Sequence, residues 1–411
     1  MRRTSILIAV LGAALALAMP AAHGRETADP GITGNSILIG GTTPLSGVAS
    51  AYASVARGAE AYFKYVNARG GVNGRKITYK YLDDGYIPSS TVQQTRQLVQ
   101  QDRVFAIYNS LGTEHNLAIR DYLNSIRVPQ VFAATGARTF GAAFKKYPWT
   151  IGYQPSYYGE SQIYGRWILK NRPRARIAIL FQNDDYGREL IAGLRRGLGR
   201  MSNRIIAQQG YEVTETDVQS QVARLKASNA NTFMVFGTPR YAIQSFLYAN
   251  RLNWKPLIFV NSVSSASNIM EIAGDGGTNK RVAGAISIQF LKDPTDPKWA
   301  RTPGMRLYRQ IMRQHLGRGN VNDVYHVYAM ASAHTLVEGL RKAGRNLTRS
   351  GLMAALARLD SKTNPFVIPG LRVKTGRVDR FPIEQVQLQR WVVRNGDGRW
   401  VAFGPLQRSP G

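Results

Sequence analysis

Short apolar runs alternate with longer segments of helical periodicity along most of the chain. Residues 36–40 are typical of a buried strand, and residues 51–69 carry apolar side chains at helical spacing. Similar patterns predict strands at 76–81, 105–108, 131–133, 176–181, near 205, 232–236, 257–260 and 284–290, and helices at 90–101, 156–170, 184–199, 302–316 and 323–342. Strands separated by helices of this length predict parallel sheets with covered faces. Because the pattern restarts after residue 151, we expect two such α/β domains.

The C-terminal part of the chain departs from this pattern. Apolar and basic residues alternate around Gly376, which predicts a β-hairpin over 370–380. A second hairpin is predicted over 385–403, with its turn at 395–398, because Asn-Gly is a strong hairpin-turn signal. The pieces after 284 need partners in both domains, so we expect the chain to cross between them more than once.

The first 24 residues have the organisation of a secretory signal peptide. A basic start precedes a short apolar stretch at 6–18, and small residues stand before a cleavage point at Arg25. We therefore expect a periplasmic or secreted protein from which residues 1–24 have been removed. The chain contains no cysteine. This excludes disulfides, thiolate metal sites and the lipid-modified cysteine that tethers many exported bacterial proteins.

The charge is strongly positive. Lys and Arg number 54 against 25 Asp and Glu, for a net charge of +29. Such a field suits nucleic acid or another anionic polymer, and a polymer binder is one alternative function. The charge is mostly arginine spread through the chain, without a run of five or six like charges. Dispersed, solvated charge is the favoured interpretation, and we expect no nucleic-acid partner.

The sequence offers little for catalysis. It has five histidines, without a metal-binding His-x-x-x-His pair, and it lacks a serine elbow and a phosphate-binding loop. Two carboxylate pairs, Asp83/Asp84 and Asp184/Asp185, follow strand ends, so an exported hydrolase is the other alternative function. Adjacent carboxylates more often cap helices or turns. We expect no catalytic residue, no metal and no cofactor.

Small polar residues follow five of the predicted strands. They occupy the segments 109–116, 132–137, 183–187, 236–240 and 259–267. In open parallel sheets ligands bind beyond the carboxyl ends of the strands, and backbone N–H groups at such turns and helix starts bind anions. An ordinary loop explains any one of these segments. Five of them in two similar domains favour a protein that binds a small carboxylated ligand in a cleft.

Several stretches make the interpretation more specific. They are GTTPLSGVASAYASVARGAEAYFKYVNARGGVNGRKITYKYLDD (41–84), VPQVFAATGA (128–137), RIAILFQNDDYGREL (176–190) and FVNSVSSASNIMEIAG (259–274). Through these residues the chain resembles the leucine/isoleucine/valine-binding family of type I periplasmic binding proteins, the substrate-binding proteins of ABC importers. The resemblance covers about 36–405.

The resemblance implies an architecture and partners. It implies two doubly wound parallel-sheet lobes joined by a three-crossing hinge, with the ligand cleft between them. Residues 36–151 and 284–380 would form the N-terminal lobe, and residues 152–283 and 381–405 the C-terminal lobe. A monomer is expected, with a membrane permease of an ABC importer as its partner.

The resemblance also implies a set of site residues. The matching positions are Tyr52, Gly112, Thr113, Ala133 with its neighbour Ala134, Thr135, Tyr186, Thr238 and Ser262. Gly112, Thr113, Ala133 and Thr135 would hold the ligand carboxylate, and Tyr52 and Tyr186 would enclose the apolar part of the ligand. Ser262 stands where the family has an acidic residue for the ligand ammonium. A buried ammonium needs a compensating charge. A branched-chain amino acid is therefore expected only if Asp184, Asp185 or Glu114 supplies that charge; otherwise we expect an aliphatic or aromatic acid, an oxo acid or an amide.

Overall fold

The protein is described here by a computed structural model, which covers residues 29–274, 280–409 and 411. The predicted signal peptide at 1–24 lies outside the described residues. Within the described ranges, no helix has both the length and the apolar character that a membrane span requires.

The strands form two large sheets and one small sheet of two strands. They are β1 (Ser36–Thr43), β2 (Lys76–Asp83), β3 (Ile107–Tyr108), β4 (Gln130–Ala133), β5 (Thr150–Gly152), β6 (Ile177–Gln182), β7 (Ile205–Tyr211), β8 (Thr232–Phe236), β9 (Leu257–Val260), β10 (Ile286–Gln289), β11 (Asp360–Ser361), β12 (Val373–Lys374), β13 (Gln385–Arg394) and β14 (Asp397–Arg408). The first sheet is parallel, in the order β2-β1-β3-β4-β5. The second has the order β14-β13-β10-β9-β8-β6-β7, parallel except for the β13–β14 hairpin. These two sheets confirm the predicted α/β fold class.

Helices connect the strands and cover the sheets. They are α1 (Ala53–Asn67), α2 (Pro88–Arg96), α3 (Thr113–Ser125), α4 (Thr139–Ala142), α5 (Tyr157–Asn171), α6 (Asp185–Leu198), α7 (Gln219–Ala227), α8 (Pro239–Arg251), α9 (Ser267–Ala273), α10 (Pro303–His315), α11 (Val324–Ala343) and α12 (Arg349–Leu356). Ser156 and Asp184 cap α5 and α6 by accepting main-chain N–H groups, and Pro opens α2, α8 and α10. The caps and prolines explain where these helices begin.

The first lobe consists of the five-stranded sheet, its helices and α10–α12. Helix α1 buries the face formed by Val55, Ala59, Tyr62, Phe63 and Val66 against α11 and the sheet. Each large apolar side chain of this kind contributes about 1.5–3 kcal/mol on burial. The chain passes between the lobes after β5, after β10 and between β12 and β13.

The second lobe consists of the seven-stranded sheet and α5–α9. Helices α5 and α6 pack closely because Gly193 and Gly197 lie at their contact. A Cβ at Gly193 would stand 2.2 Å from the carbonyl oxygen of Tyr158, and one at Gly197 would stand 2.3 Å from that of Gln162. This contact fixes the position of α5, which carries Glu160, a residue next to the site described below.

Two sequence predictions are wrong in detail. The boundary placed at 284 comes too early, because β10 pairs with β9 and β13 and so belongs to the second sheet. The hairpin predicted over 370–380 does not form: β12 pairs with β11, and Gly376 only makes a turn with Asp379. Local alternation identified an extended segment here but not its partner. The hairpin predicted over 385–403 is confirmed as β13 and β14.

Candidate ligand-binding cleft

The carboxyl ends of strands from both sheets border a single cavity. Together with the solvent space at its mouth, it contains about 690 Å³ free of protein atoms. Its walls come from the turns after β2, β3, β4 and β9, from the starts of α1, α5, α6 and α11, and from the crossing after β10. This is where open parallel sheets place their ligands.

Aromatic side chains dominate the walls. They are Tyr52, Tyr86, Tyr157, Tyr186, Phe290, Tyr325 and Tyr328. The rings of Tyr52 and Tyr325 meet edge to face with centroids 5.1 Å apart, and those of Tyr157 and Tyr186 meet at 5.0 Å. Burial raises the pKa of Tyr52 and Tyr186 well above the usual value for a phenol, so both are neutral donors at physiological pH. In the described ranges, no lining side chain carries a formal charge.

The turn between β3 and α3 forms a polar corner of the cavity. Gly112 has a φ of 107°, and a Cβ there would lie 2.2 Å from Nδ1 of His115, so the turn requires glycine. Helix α3 begins at Thr113 without a side-chain cap, which leaves the N–H groups of its first turn without intrahelical acceptors. Thr113 Oγ1 lies 2.7 Å from Thr135 Oγ1. The corner presents donors and a positive helix end, both of which favour an anion.

The two lobes touch each other directly across the cavity. The Tyr52 hydroxyl donates to the Val263 carbonyl oxygen at 3.1 Å, and the Tyr325 hydroxyl donates to the same oxygen at 2.7 Å. Tyr52 and Tyr325 belong to the first lobe, and Val263 follows β9 in the second. The structure is therefore a closed arrangement of the lobes.

Acidic side chains link the lobes at the rim. Glu114 of α3 accepts the Asp185 N–H at 2.9 Å, and Glu189 of α6 accepts the Arg138 N–H at 2.9 Å. The Arg138 guanidinium lies 3.8 Å from Glu189. Burial raises the pKa of Glu189 to about 7 although Arg138 opposes the shift. The rim is therefore sensitive to proton concentration near neutral pH.

Ser262 contacts a buried carboxylate behind the cavity wall. Glu160 of α5 is fully buried, and its Oε1 accepts the Ser262 N–H at 2.7 Å. Its Oε2 lies 2.7 Å from Ser262 Oγ, and the Tyr164 hydroxyl donates to Oε1 at 2.7 Å. Burial raises the pKa of Glu160, and the hydrogen bonds from Tyr164 and Ser262 oppose that rise.

Most of the residues predicted for the site lie around the cavity. Seven of them line it: Tyr52, Gly112, Thr113, Ala134, Tyr186, Thr238 and Ser262. Ala133 and Thr135 do not. Ala133 pairs with Gly152 inside the first sheet, and the Thr135 hydroxyl is engaged by Thr113 and by the Ala137 N–H. A ligand contact for any of these residues stays a prediction.

The carboxylate pairs hold turns and do not line the cavity. Asp83 accepts the Leu45, Ser46 and Gly85 N–H groups. Asp184 caps α6 through the Gly187 N–H, and burial raises its pKa to about 6. Asp84 accepts the Tyr86 N–H and the Thr91 hydroxyl. In the described part of the chain, no group of three or more His, Asp or Glu side chains is arranged to hold a metal.

Sequence reasoning missed Glu160 and much of the aromatic wall. Tyr86 follows β2, and Tyr157 opens α5. The rule that picked the other strand ends and helix starts could therefore have found both. Tyr325 and Tyr328 come from α11, more than 130 residues from either. Only the folding of the chain brings Tyr325 and Tyr328 to the cavity.

Comparisons with known proteins agree with this architecture. The family model described as periplasmic binding protein matches residues 36–398. Leu/Ile/Val-binding protein homolog 1 of Brucella abortus (strain 2308) is 25% identical over 324 residues, which is 75% of this chain and 79% of the relative. A branched-chain amino acid ABC transporter structure from Thermus thermophilus with bound valine superposes with a TM-score of 0.79 at 17% identity, covering 91% of this chain and 97% of its own. A solute binding protein from Rhodopseudomonas palustris BisB5, in complex with 3,4-dihydroxy benzoic acid, gives 0.72 at 16% identity, covering 91% and 98%.

Proposed function

Because the chain belongs to the periplasmic binding protein family, we propose that it is an extracytoplasmic receptor that captures a small carboxylated metabolite and delivers it to an ABC importer. The observation that carries the proposal is the closed, aromatic-lined cavity between two α/β lobes with an uncapped helix start at one corner. Binding in such a cleft needs no catalytic group, and the carboxylate pairs of the chain serve turns instead.

The carboxylate of the ligand is assigned to the corner at Gly112 and Thr113. This corner combines first-turn N–H groups, the Thr113 hydroxyl and the positive end of a 13-residue helix. In the described ranges no charged side chain lines the cavity, so a small anion would depend on these donors. Hydrogen bonds to a charged group are each worth about 1.5–3 kcal/mol.

The rest of the ligand is assigned to the aromatic wall. Tyr52 and Tyr186 would enclose its apolar part, and Ala134, Thr238 and Ser262 would complete the contact. The similar proteins of known structure hold valine in one case and 3,4-dihydroxy benzoic acid in the other. Branched-chain amino acids and related aliphatic or aromatic acids are therefore the ligand classes to test.

A binding screen tests the proposal. Protein freed of copurifying ligand by unfolding and refolding is screened by thermal shift against amino acids, 2-hydroxy and 2-oxo acids, fatty acids and hydroxybenzoates. We expect at least one carboxylated compound to raise the unfolding temperature and to bind with a micromolar or lower Kd by calorimetry. The matched amide or ester of that compound serves as the control. Tight binding of nucleic acid without any small-molecule ligand would contradict the proposal, as would turnover of the bound compound.

A further inference from the structure

The hydrogen bonds around Glu160 determine the direction of the Ser262 hydroxyl. The Ser262 main-chain N–H can only donate, so Glu160 Oε1 accepts it at 2.7 Å. The Tyr164 hydroxyl donates to the same oxygen. The remaining oxygen, Oε2, faces Ser262 Oγ at 2.7 Å. The two donors at Oε1 favour the ionised form of Glu160, whereas burial raises its pKa and favours the neutral form. In the ionised form the carboxylate can only accept.

When Glu160 is ionised its Oε2 can only accept, so the single proton of the Ser262 hydroxyl points to Glu160. A hydroxyl has one donor and two acceptor positions, so Ser262 Oγ keeps only lone pairs for any group in the cavity that it lines. The negative charge of an ionised Glu160 strengthens this acceptor, because the carboxylate is fully buried and lies one hydrogen bond behind the cavity wall.

We propose that Glu160 is an ionised positioning residue that makes Ser262 a pure hydrogen-bond acceptor toward the cleft, so that the ligand carries a hydrogen-bond donor at this point. The donor is an ammonium group or a hydroxyl group. This inference rests on the proposed function, since it concerns the ligand of the same cavity. Ser262 stands where the family has an acidic residue, and the sequence did not show which group supplies the negative charge instead. The inference assigns that charge to Glu160 of helix α5.

The other acids considered from the sequence are engaged elsewhere. Glu114 accepts the Asp185 N–H, and Asp184 caps α6 and accepts from Gln182. Asp185 is exposed and lies 4.0 Å from Arg188. None of these three lines the cavity. Glu160 is separated from Ser262 by 102 positions in the chain, which explains why no local pattern indicated it.

Matched probes test the inference by selectivity rather than by affinity alone. L-leucine, L-2-hydroxyisocaproate and 2-oxoisocaproate share one skeleton and differ in bearing an ammonium, a hydroxyl or only an acceptor. The pair 4-hydroxybenzoate and 4-fluorobenzoate makes the same comparison for an aromatic acid. By calorimetry on the wild type, we expect the donor-bearing member of the set that binds to be favoured at least about tenfold, which is the size of one charge-assisted hydrogen bond. The set that responds tells an amine donor from a phenol donor.

The variant Glu160→Gln makes the sharpest prediction. Its amide oxygen must occupy the Oε1 position, because the Ser262 N–H and the Tyr164 hydroxyl both donate there. The amide nitrogen then donates to Ser262 Oγ and turns the hydroxyl proton toward the cleft. We expect the selectivity ratio to fall at least about tenfold and to shift toward the acceptor-only probe. A purely structural role would weaken all probes equally and leave the ratio unchanged.

Two further variants complete the test. Ser262→Ala removes the acceptor and should bring the ratio close to one, so it answers the question even when Glu160→Gln does not fold. Ser287→Ala is the control, because its hydroxyl lies 3.5 Å from Tyr164 on the side of the network away from Ser262. Its ratio should match the wild type. Tighter binding of the acceptor-only probe to the wild type would overturn the inference while leaving the receptor function intact. A panel in which no carboxylated probe binds would overturn the receptor function, and this inference with it.

Discussion

The hydroxyl of Tyr325 donates to the main-chain carbonyl of Val263 across the cleft at 2.7 Å. Tyr325 opens α11 in the first lobe, and Val263 follows β9 in the second, so this hydrogen bond exists only when the lobes are together. Tyr52, Tyr325 and Val263, which line the cavity, therefore also link the two lobes. A ligand that contacts both lobes must favour the closed state by its differential affinity.

Removing the Tyr325 hydroxyl should weaken closure. The Tyr325→Phe variant loses one cross-lobe hydrogen bond, worth about 0.5–1.5 kcal/mol, so ligand affinity should fall by about 2- to 10-fold in calorimetry. Tyr308→Phe is the control, because the Tyr308 hydroxyl donates to Val321 within the first lobe. That variant should lose stability without losing affinity. Equal affinity losses in both variants would mean that the hydrogen bond from Tyr325 to Val263 does not contribute to lobe closure.

Thr113 and Thr135 should differ in their effect on affinity. Thr113 lines the cavity, whereas the Thr135 hydroxyl is engaged by Thr113 and the Ala137 N–H. Thr113→Ala should cost about 1.5–3 kcal/mol of binding free energy, as for a donor to a charged group. Thr135→Ala should cost about 0.5–1.5 kcal/mol, as for a neutral hydrogen bond acting through its neighbour. Calorimetry with the carboxylated ligand measures both, and a larger loss for Thr135→Ala would reverse the assignment.

Glu189 should make affinity depend on pH. Burial in the closed structure raises its pKa to about 7, and opening separates it from Arg138 and exposes it to water. A pKa that is higher in the closed state means that closure takes up a proton. The contribution of Glu189 to affinity should therefore be fully present below the ordinary pKa of a glutamate, about 4.3, and should decline as pH rises toward 7.

The Glu189→Gln variant should flatten this decline, measured by calorimetry in buffers from acid to weakly alkaline pH. The groups facing Glu189 are the Arg138 guanidinium at 3.8 Å and the carboxylate of Asp185. Asp121→Asn, which removes an exposed carboxylate of α3 that does not face Glu189, serves as the control and should retain most of the wild-type profile. Affinity that rises with pH in the wild type would contradict the assignment.

Gly112 should tolerate no side chain. Gly112→Ala combines a φ of 107° with a Cβ that would lie 2.2 Å from the His115 ring. Gly344→Ala is a matched control, with a φ of 84° and nothing within 4 Å of its Cβ. A positive φ alone costs alanine about 1 kcal/mol, so Gly344→Ala should lower the thermal midpoint slightly. Gly112→Ala should lower it further and abolish binding. Equal shifts in midpoint would mean that the turn can move away from His115.

The sequence was informative where local pattern decides structure. The alternation of strands and helices, the two parallel sheets and the strand ends at Gly112, Tyr186 and Ser262 followed from it. The partner of β12 and the sheet to which β10 belongs did not, because strand pairing is decided by tertiary contacts that the local alternation of residues does not contain. Glu160 was missed for the same reason: α5 is brought under Ser262 by its close packing on α6.

Solution X-ray scattering tests the central claim most directly. Ligand-free protein is measured alone and with a saturating concentration of the carboxylated compound that binds it most tightly. Two lobes that close on a ligand predict a smaller radius of gyration and a shorter maximum dimension in the bound protein, with the change saturating at the calorimetric Kd. Identical profiles with and without a compound that binds would contradict a receptor that closes around its ligand.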